Sequence, residues 1–203
     1  SDGETHQGIF DLSYLSMMPN MTVLAPKNDR ELEEMLVFAV SFDGPIAIRY
    51  PRGSAHQGLR EYQAPVEYGR SEIIRKGKKI AVLGVGSMIP SCMEICKGLK
   101  DDGYDPTFVN ARFVKPLDVD LLDELAKDHS LFVTVEENVK SGGYGEHVSA
   151  YMEACHPEIR VLSAAVWDRF VPQGNVESLR SRIGLGVEDI RQAIEDSEEL
   201  REQ

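Results

Sequence analysis

Apolar positions recur along this chain with two periods, and the switch from one to the other divides it into elements. Residues 21–25 (MTVLA) and 45–50 (PIAIRY) are short β-prone runs closed by Pro26 and Pro51. Proline removes a ladder donor, so both runs predict strands that end there. Between them Leu32, Met35, Leu36, Ala39 and Val40 recur at helical spacing. Asn28 or Asp29 can cap that helix, Glu31, Glu33 and Glu34 suit its positive N-terminal end, and Asp43-Gly44 stops it. Strand, helix and strand in this compass predict a βαβ unit with a parallel pair and a right-handed crossover.

Residues 53–69 (GSAHQGLREYQAPVEYG) lose both periods and read as a linker. Beyond them the alternation resumes: strands are predicted at 79–84, 106–110, 131–136 and 159–166, and helices near 90–102, 118–128, 145–155 and 187–200. The chain therefore divides into a first unit, 1–52, the linker, and a second unit, 70–203, that reads as a three-layer α/β domain on a mostly parallel sheet. In such sheets ligands gather at the carboxyl ends of the strands.

Composition narrows the function classes. With 203 residues, 42% apolar and 28% charged, the chain can bury the cores of one or two globular units. A net charge of -12 argues against nonspecific binding to nucleic acid or an anionic membrane, so any phosphate it takes must meet a local positive group. Much of that acidity lies in the solvated tail from Glu188 to Glu202. Cys92 and Cys96 fall four apart on a predicted helix and read, with Cys155, as reduced cysteines rather than a zinc or disulfide set. No apolar run approaches the roughly 20 residues of a membrane span, which makes a cytoplasmic setting the default. The polar start, without an initiator Met, reads like a loop entered midway, and a fragment or cleaved chain is expected.

Four segments could carry chemistry. In Asp2-Gly3-Glu4-Thr5-His6-Gln7-Gly8 a carboxylate and an imidazole stand four apart among glycines that allow close backbone approach. His6 can be a proton-transfer group or a hydrogen-bonded loop histidine on this pattern. Arg49-Tyr50-Pro51-Arg52-Gly53 ends a strand at a proline, so at least one guanidinium should leave the sheet edge, for an anion or for a carboxylate of the chain. Glu136-Glu137-Asn138 runs into Gly142-Gly143-Tyr144-Gly145 before a helix. Such turns can cradle phosphate, but two glutamates beside it would repel an anion, which favours a tight packing turn. Phe170-Val171-Pro172-Gln173-Gly174 has no role that residue chemistry alone assigns.

Those segments resemble the 1-deoxy-D-xylulose-5-phosphate synthase family. The run from Asp2 to Gly8 with Phe10-Asp11-Leu12-Ser13-Tyr14-Leu15, Pro19-Asn20-Met21, Ala25-Pro26 and Arg49-Tyr50-Pro51-Arg52-Gly53 is similar to its pyrimidine-binding domain. Arg112-Phe113-Val114-Lys115-Pro116-Leu117-Asp118, Val135-Glu136-Glu137-Asn138 with Gly142-Gly143, and Phe170-Val171-Pro172-Gln173-Gly174 are similar to its transketolase-type C-terminal domain.

The resemblance implies the end of a thiamine-diphosphate-binding, parallel-sheet α/β domain followed by a transketolase C-terminal-like three-layer α/β domain. It also implies a transferase that decarboxylates pyruvate and joins it to D-glyceraldehyde 3-phosphate for isoprenoid, thiamine and pyridoxal synthesis, in a homodimer that uses thiamine diphosphate and magnesium. Arg52 matches a phosphate clamp, His6 a group near the reacting carbons, and Asp2 an orienting substrate residue.

The family's diphosphate and metal segment and its pyrimidine-activating glutamate precede the matched portion. Glu136 and Glu137 lie in the wrong domain for that role. The chain alone is therefore expected to bind no thiamine diphosphate or metal and to lack synthase activity without those N-terminal segments. A transketolase, a 2-oxoacid dehydrogenase beta subunit and a noncatalytic dimerisation or regulatory module are the alternatives.

Overall fold

The computed structural model describes residues 3–197. In chain order the elements are α1 (Asp11–Met17), β1 (Thr22–Leu24), α2 (Asp29–Ser41), β2 (Ile46–Ile48), β3 (Glu72–Arg75), β4 (Lys79–Gly84), a 3-10 turn (Gly86–Met88), α3 (Ile89–Asp101), β5 (Thr107–Asn110), β6 (Phe113–Lys115), α4 (Val119–Leu125), β7 (His129–Val139), α5 (Tyr144–Cys155), β8 (Arg160–Val166), α6 (Val176–Arg182) and α7 (Val187–Glu195). This is an α/β architecture with two sheets. The smaller runs β2-β1-β6 and the larger β3-β5-β4-β7-β8.

The predicted βαβ unit forms. β1 and β2 pair in parallel, Thr22 opposite Ile46, and Asn28 caps the intervening α2 by accepting from Glu31 N–H at 2.9 Å. In the larger sheet β5, β4, β7 and β8 are parallel, while β3 joins the edge antiparallel. The period-2 pattern sorts its side chains between two cores: Ile80, Val82, Leu131, Val133 and Val135 pack with α3 and α7, while Ala81, Leu83 and Phe132 face α4 and α5 on the other side.

Cys92 and Cys96 sit in the first of those cores as small apolar filler. Burial pushes the Cys96 thiol up to about 12 and that of Cys92 well above its usual value, so neither is a nucleophile near neutral pH.

Four short elements escape the sequence pattern: α1, β3, β6 and α6. β6 is three residues long and starts only three after β5 ends, too brief to show a period. It leaves the large sheet to pair antiparallel with β1, Leu24 opposite Phe113, so the second unit completes the first unit's sheet. The predicted last helix ends at Glu195, and its expected continuation through 198–200 lies outside the described residues.

Beside this shared strand lies a buried charge cluster. Lys27 Nζ meets Glu31 at 3.1 Å and Glu72 at 2.7 Å, and Arg112 meets the same carboxylates at 3.0 and 3.1 Å. No member exceeds 4% side-chain exposure. Asn110 donates to Glu31 at 2.8 Å, and the spare donors of Arg112 go to the carbonyls of Pro65 and Ala64. Two cations and two anions satisfy one another, which is what makes burial of the set tolerable. Burial pushes the Glu72 carboxyl up, but Lys27, the Ala64 N–H and Arg112 together bring it below its usual range.

Removing one member strands the others in a dry site. Arg112→Met should lower the unfolding free energy by about 3–5 kcal/mol, read from urea denaturation; a loss under about 1 kcal/mol, the scale of exposed pairs, would show that the cluster is dispensable.

Candidate functional site

A cavity of about 910 Å³ opens where the two units meet. β1 and β2 are parallel, and the segments that follow their carboxyl ends, at Lys27 and at Arg49 to Gly53, line it. From the other unit come Ser87, just after β4, Glu137, near the end of β7, and Arg180 of α6. Both sheets thus direct their C-terminal edges at one space, the topological position at which α/β sheets hold ligands.

His6 and Arg52 both line this cavity. His6 is exposed and its Nδ1 lies 2.7 Å from Thr5 Oγ1. Arg52 is exposed in the turn after β2. Asp2 lies outside the described residues. Arg49, the other arginine of the pair, turns inward: it donates to the carbonyl of Glu137 at 3.0 Å and approaches the Gly8 carbonyl at 3.5 Å and Ser87 Oγ at 3.4 Å. Because these acceptors are neutral, Arg49 brings a positive charge into the wall.

Sequence reasoning did not single out Arg180 or Ser87, and left Glu137 without a role. Arg180 forms an ion pair with the Glu137 carboxylate, which also accepts from Ser87 Oγ at 2.9 Å. Burial pushes the Glu137 carboxyl up, yet the Arg180 guanidinium, then Arg49 and Ser87, bring it below its usual range. Glu137 is thus anionic at neutral pH and holds the cationic side of the cavity in place. Arg180 sits on a seven-residue helix with a single buried apolar position, Leu179, which is why no helical stripe pointed to it.

The glycine turn after β7 is a packing turn, and the neighbouring glutamate occupies its anion position. Glu136 is fully buried and accepts from Tyr144 N–H at 2.9 Å and Gly145 N–H at 2.8 Å, the free amides that open α5. A Cβ at Gly143 would stand 2.7 Å from the Glu136 carboxylate, and one at Gly145 only 2.2 Å from Ser163 Oγ, so side chains are excluded there. Burial raises the Glu136 carboxyl to about 7 despite those two amide donors and Arg49.

Family models match both parts of the chain: "Transketolase, pyrimidine binding domain" at residues 1–57 and "Transketolase, C-terminal domain" at 69–190. Among curated relatives, the 1-deoxy-D-xylulose-5-phosphate synthase of Lachnoclostridium phytofermentans is 47% identical over 94% of this chain and 31% of its own length. That of Dictyoglomus thermophilum is 43% identical over 95% of the chain and 31% of its own length. The chain thus spans about a third of the length of the relatives it matches. Among solved structures, a split-gene transketolase described as an inactive β4 tetramer superposes with a TM-score of 0.85 at 27% identity, covering 97% of this chain and 62% of that one.

The raised Glu136 carboxyl has a sign that can be checked. A group whose pKa is higher folded than unfolded stabilises fully below its unfolded value, near 4.5, and loses that contribution as pH rises through about 7. The unfolding free energy of the wild type minus that of Glu136→Gln should therefore fall as pH rises from 4.5 to 7 in denaturant titrations. A difference constant over that range would refute the assignment.

Proposed function

This chain belongs to the transketolase family, and from that premise we propose that it forms part of a 1-deoxy-D-xylulose-5-phosphate synthase. Such an enzyme condenses pyruvate with D-glyceraldehyde 3-phosphate, releases CO2 and opens the non-mevalonate route to isoprenoids. What carries the proposal is the cavity. A histidine on a glycine-rich loop and an arginine at a strand end line the same space, the transketolase pyrimidine-binding model matches the segments bearing both, and relatives named for that reaction match about 95% of the chain.

In this reading Arg52 clamps the phosphate of the aldehyde, because a guanidinium matches phosphate geometry with charge-assisted donors. His6 hydrogen-bonds or transfers a proton to the oxygen that gains charge as the new carbon–carbon bond forms. Asp2, which lies outside the described residues, is assigned the role of an orienting carboxylate on the resemblance alone. The cationic wall around Arg49 lets an acidic chain receive an anion without any global attraction.

Thiamine diphosphate with magnesium supplies the carbanion chemistry when bound. Among the described residues no three His, Cys, Asp or Glu side chains gather at metal-binding spacing. The diphosphate and metal are assigned to segments that this chain, at about 31% of its relatives' length, does not share. The working enzyme is proposed as a cytoplasmic homodimer in which those segments complete the site.

A second reading, a noncatalytic assembly module, draws on the exposed apolar side chains of Val37 and Val40 on α2 and on the tetrameric neighbour.

A coupled assay of the complete enzyme separates the two readings, since only the synthase makes deoxyxylulose phosphate. In it Arg52→Ala should raise KM for the phosphorylated aldehyde by roughly 10–100-fold, the equivalent of about 1.5–3 kcal/mol, and leave KM for pyruvate nearly unchanged. Equal effects on both substrates would make Arg52 structural. His6→Ala should mainly lower kcat, and an unchanged kcat would remove His6 from the reaction. Calorimetric titration of the 203-residue chain with thiamine diphosphate and magnesium should give no heat of binding; micromolar affinity would place the cofactor site within it.

A further inference from the structure

The loop that carries His6 belongs to the first unit in sequence, yet the second unit holds it. Gln7, the next residue, uses both ends of its amide on the backbone of Val171: Val171 N–H donates to Gln7 Oε1 at 3.0 Å and Gln7 Nε2 donates to the Val171 carbonyl at 3.3 Å. The same Nε2 lies 3.3 Å from the Gly3 carbonyl, which also accepts from His6 N–H at 3.4 Å, so one amide closes the turn in which His6 sits. Val139 N–H then donates to the Ile9 carbonyl at 2.7 Å.

Asn138 fixes the far end. Fully buried, it accepts from Leu12 N–H at 3.1 Å and donates to Ser13 Oγ at 2.8 Å, and Ser13 Oγ donates onward to the Ser141 carbonyl at 2.6 Å.

We propose that the second unit is the template for the His6 loop, with Gln7 and Asn138 as its positioning residues. A side-chain amide that pairs with both the N–H and the C=O of one residue mimics a strand neighbour and fixes position and rotation together. Adjacent Cα atoms are about 3.8 Å apart, so whatever holds Gln7 holds His6. Two segments that lacked a chemical role acquire one. Val171 of Phe170-Val171-Pro172 docks Gln7, and the residue after Glu136 and Glu137 anchors the start of α1. This rests on the role of His6 proposed above.

The test combines kinetics with amide exchange. In the complete enzyme Gln7→Ala should lower kcat by roughly 10–100-fold, the scale of an ångström-sized misplacement, and move KM far less. Gln7→Glu keeps the acceptor for Val171 N–H but loses the donor, and should retain intermediate turnover. In a His6→Ala background Gln7→Ala should cost almost nothing further; a loss that adds in full would mean that Gln7 does not act through His6. Independently of any turnover, Gln7→Ala in the 203-residue chain should speed hydrogen exchange at residues 3–9 and leave unchanged the amides of β4 and of residues 131–135 in β7. Unaltered exchange in the loop overturns the template. If the wild-type enzyme makes no deoxyxylulose phosphate the proposed reaction fails, and the exchange measurement still decides whether the second unit holds the loop. Should Gln7→Ala fail to fold, Gln7→Glu carries the same exchange measurement.

Discussion

The arrangement depends on a buried quartet of charges. Lys27, Glu31, Glu72 and Arg112 come from three separate stretches, and each is satisfied only if the others are present. Lys27 follows β1, Glu31 opens α2, Glu72 opens β3 and Arg112 precedes β6. Bringing them together sets how the small sheet stands on the large one. Apolar packing could hold the two units side by side in several registers, whereas four charges without water tolerate one. The cavity inherits its shape from that choice, because its walls are the strand ends on either side of the cluster.

A chain with net charge -12 becomes receptive to an anion by local sorting. Acidic residues are gathered into the C-terminal tail and the outer surface. In the cavity wall Glu137 is paired with Arg180, Glu31 and Glu72 are satisfied by Lys27 within the buried cluster behind it, and Asp11 is the other carboxylate of the lining. Arg49 contributes charge through contacts with neutral oxygens. Over such distances the field depends on which charges sit at the wall, since salt screens the remainder within roughly 8–10 Å.

Much of this was legible in the residues, for identifiable reasons. The βαβ unit announced itself through two proline-closed apolar runs and the Asn28 cap, and the parallel strands of the larger sheet through β-branched runs set between helical stripes. The two cysteines of α3 behaved as their spacing suggested. Elements of three or four residues such as β3 and β6 carry too few positions to display a period. The partners of the His6 loop were hidden for another reason. Gln7 and Val171 are 164 positions apart, and no pattern along the chain encodes a contact between a side-chain amide and a distant backbone. Glu136 shows the reverse case: its proximity to a glycine turn was visible and argued against a phosphate, but that the carboxylate itself caps α5 required the fold.

One last property follows from β6. A strand from the second unit is stitched into the sheet of the first, so a rigid-body hinge between the two would have to tear backbone pairing as well as side-chain contacts. Opening of the cleft by swinging one unit from the other is therefore mechanically disfavoured, and traffic of small molecules into it falls to rearrangement of surface segments, such as the exposed turn after β2, over a frame that stays put.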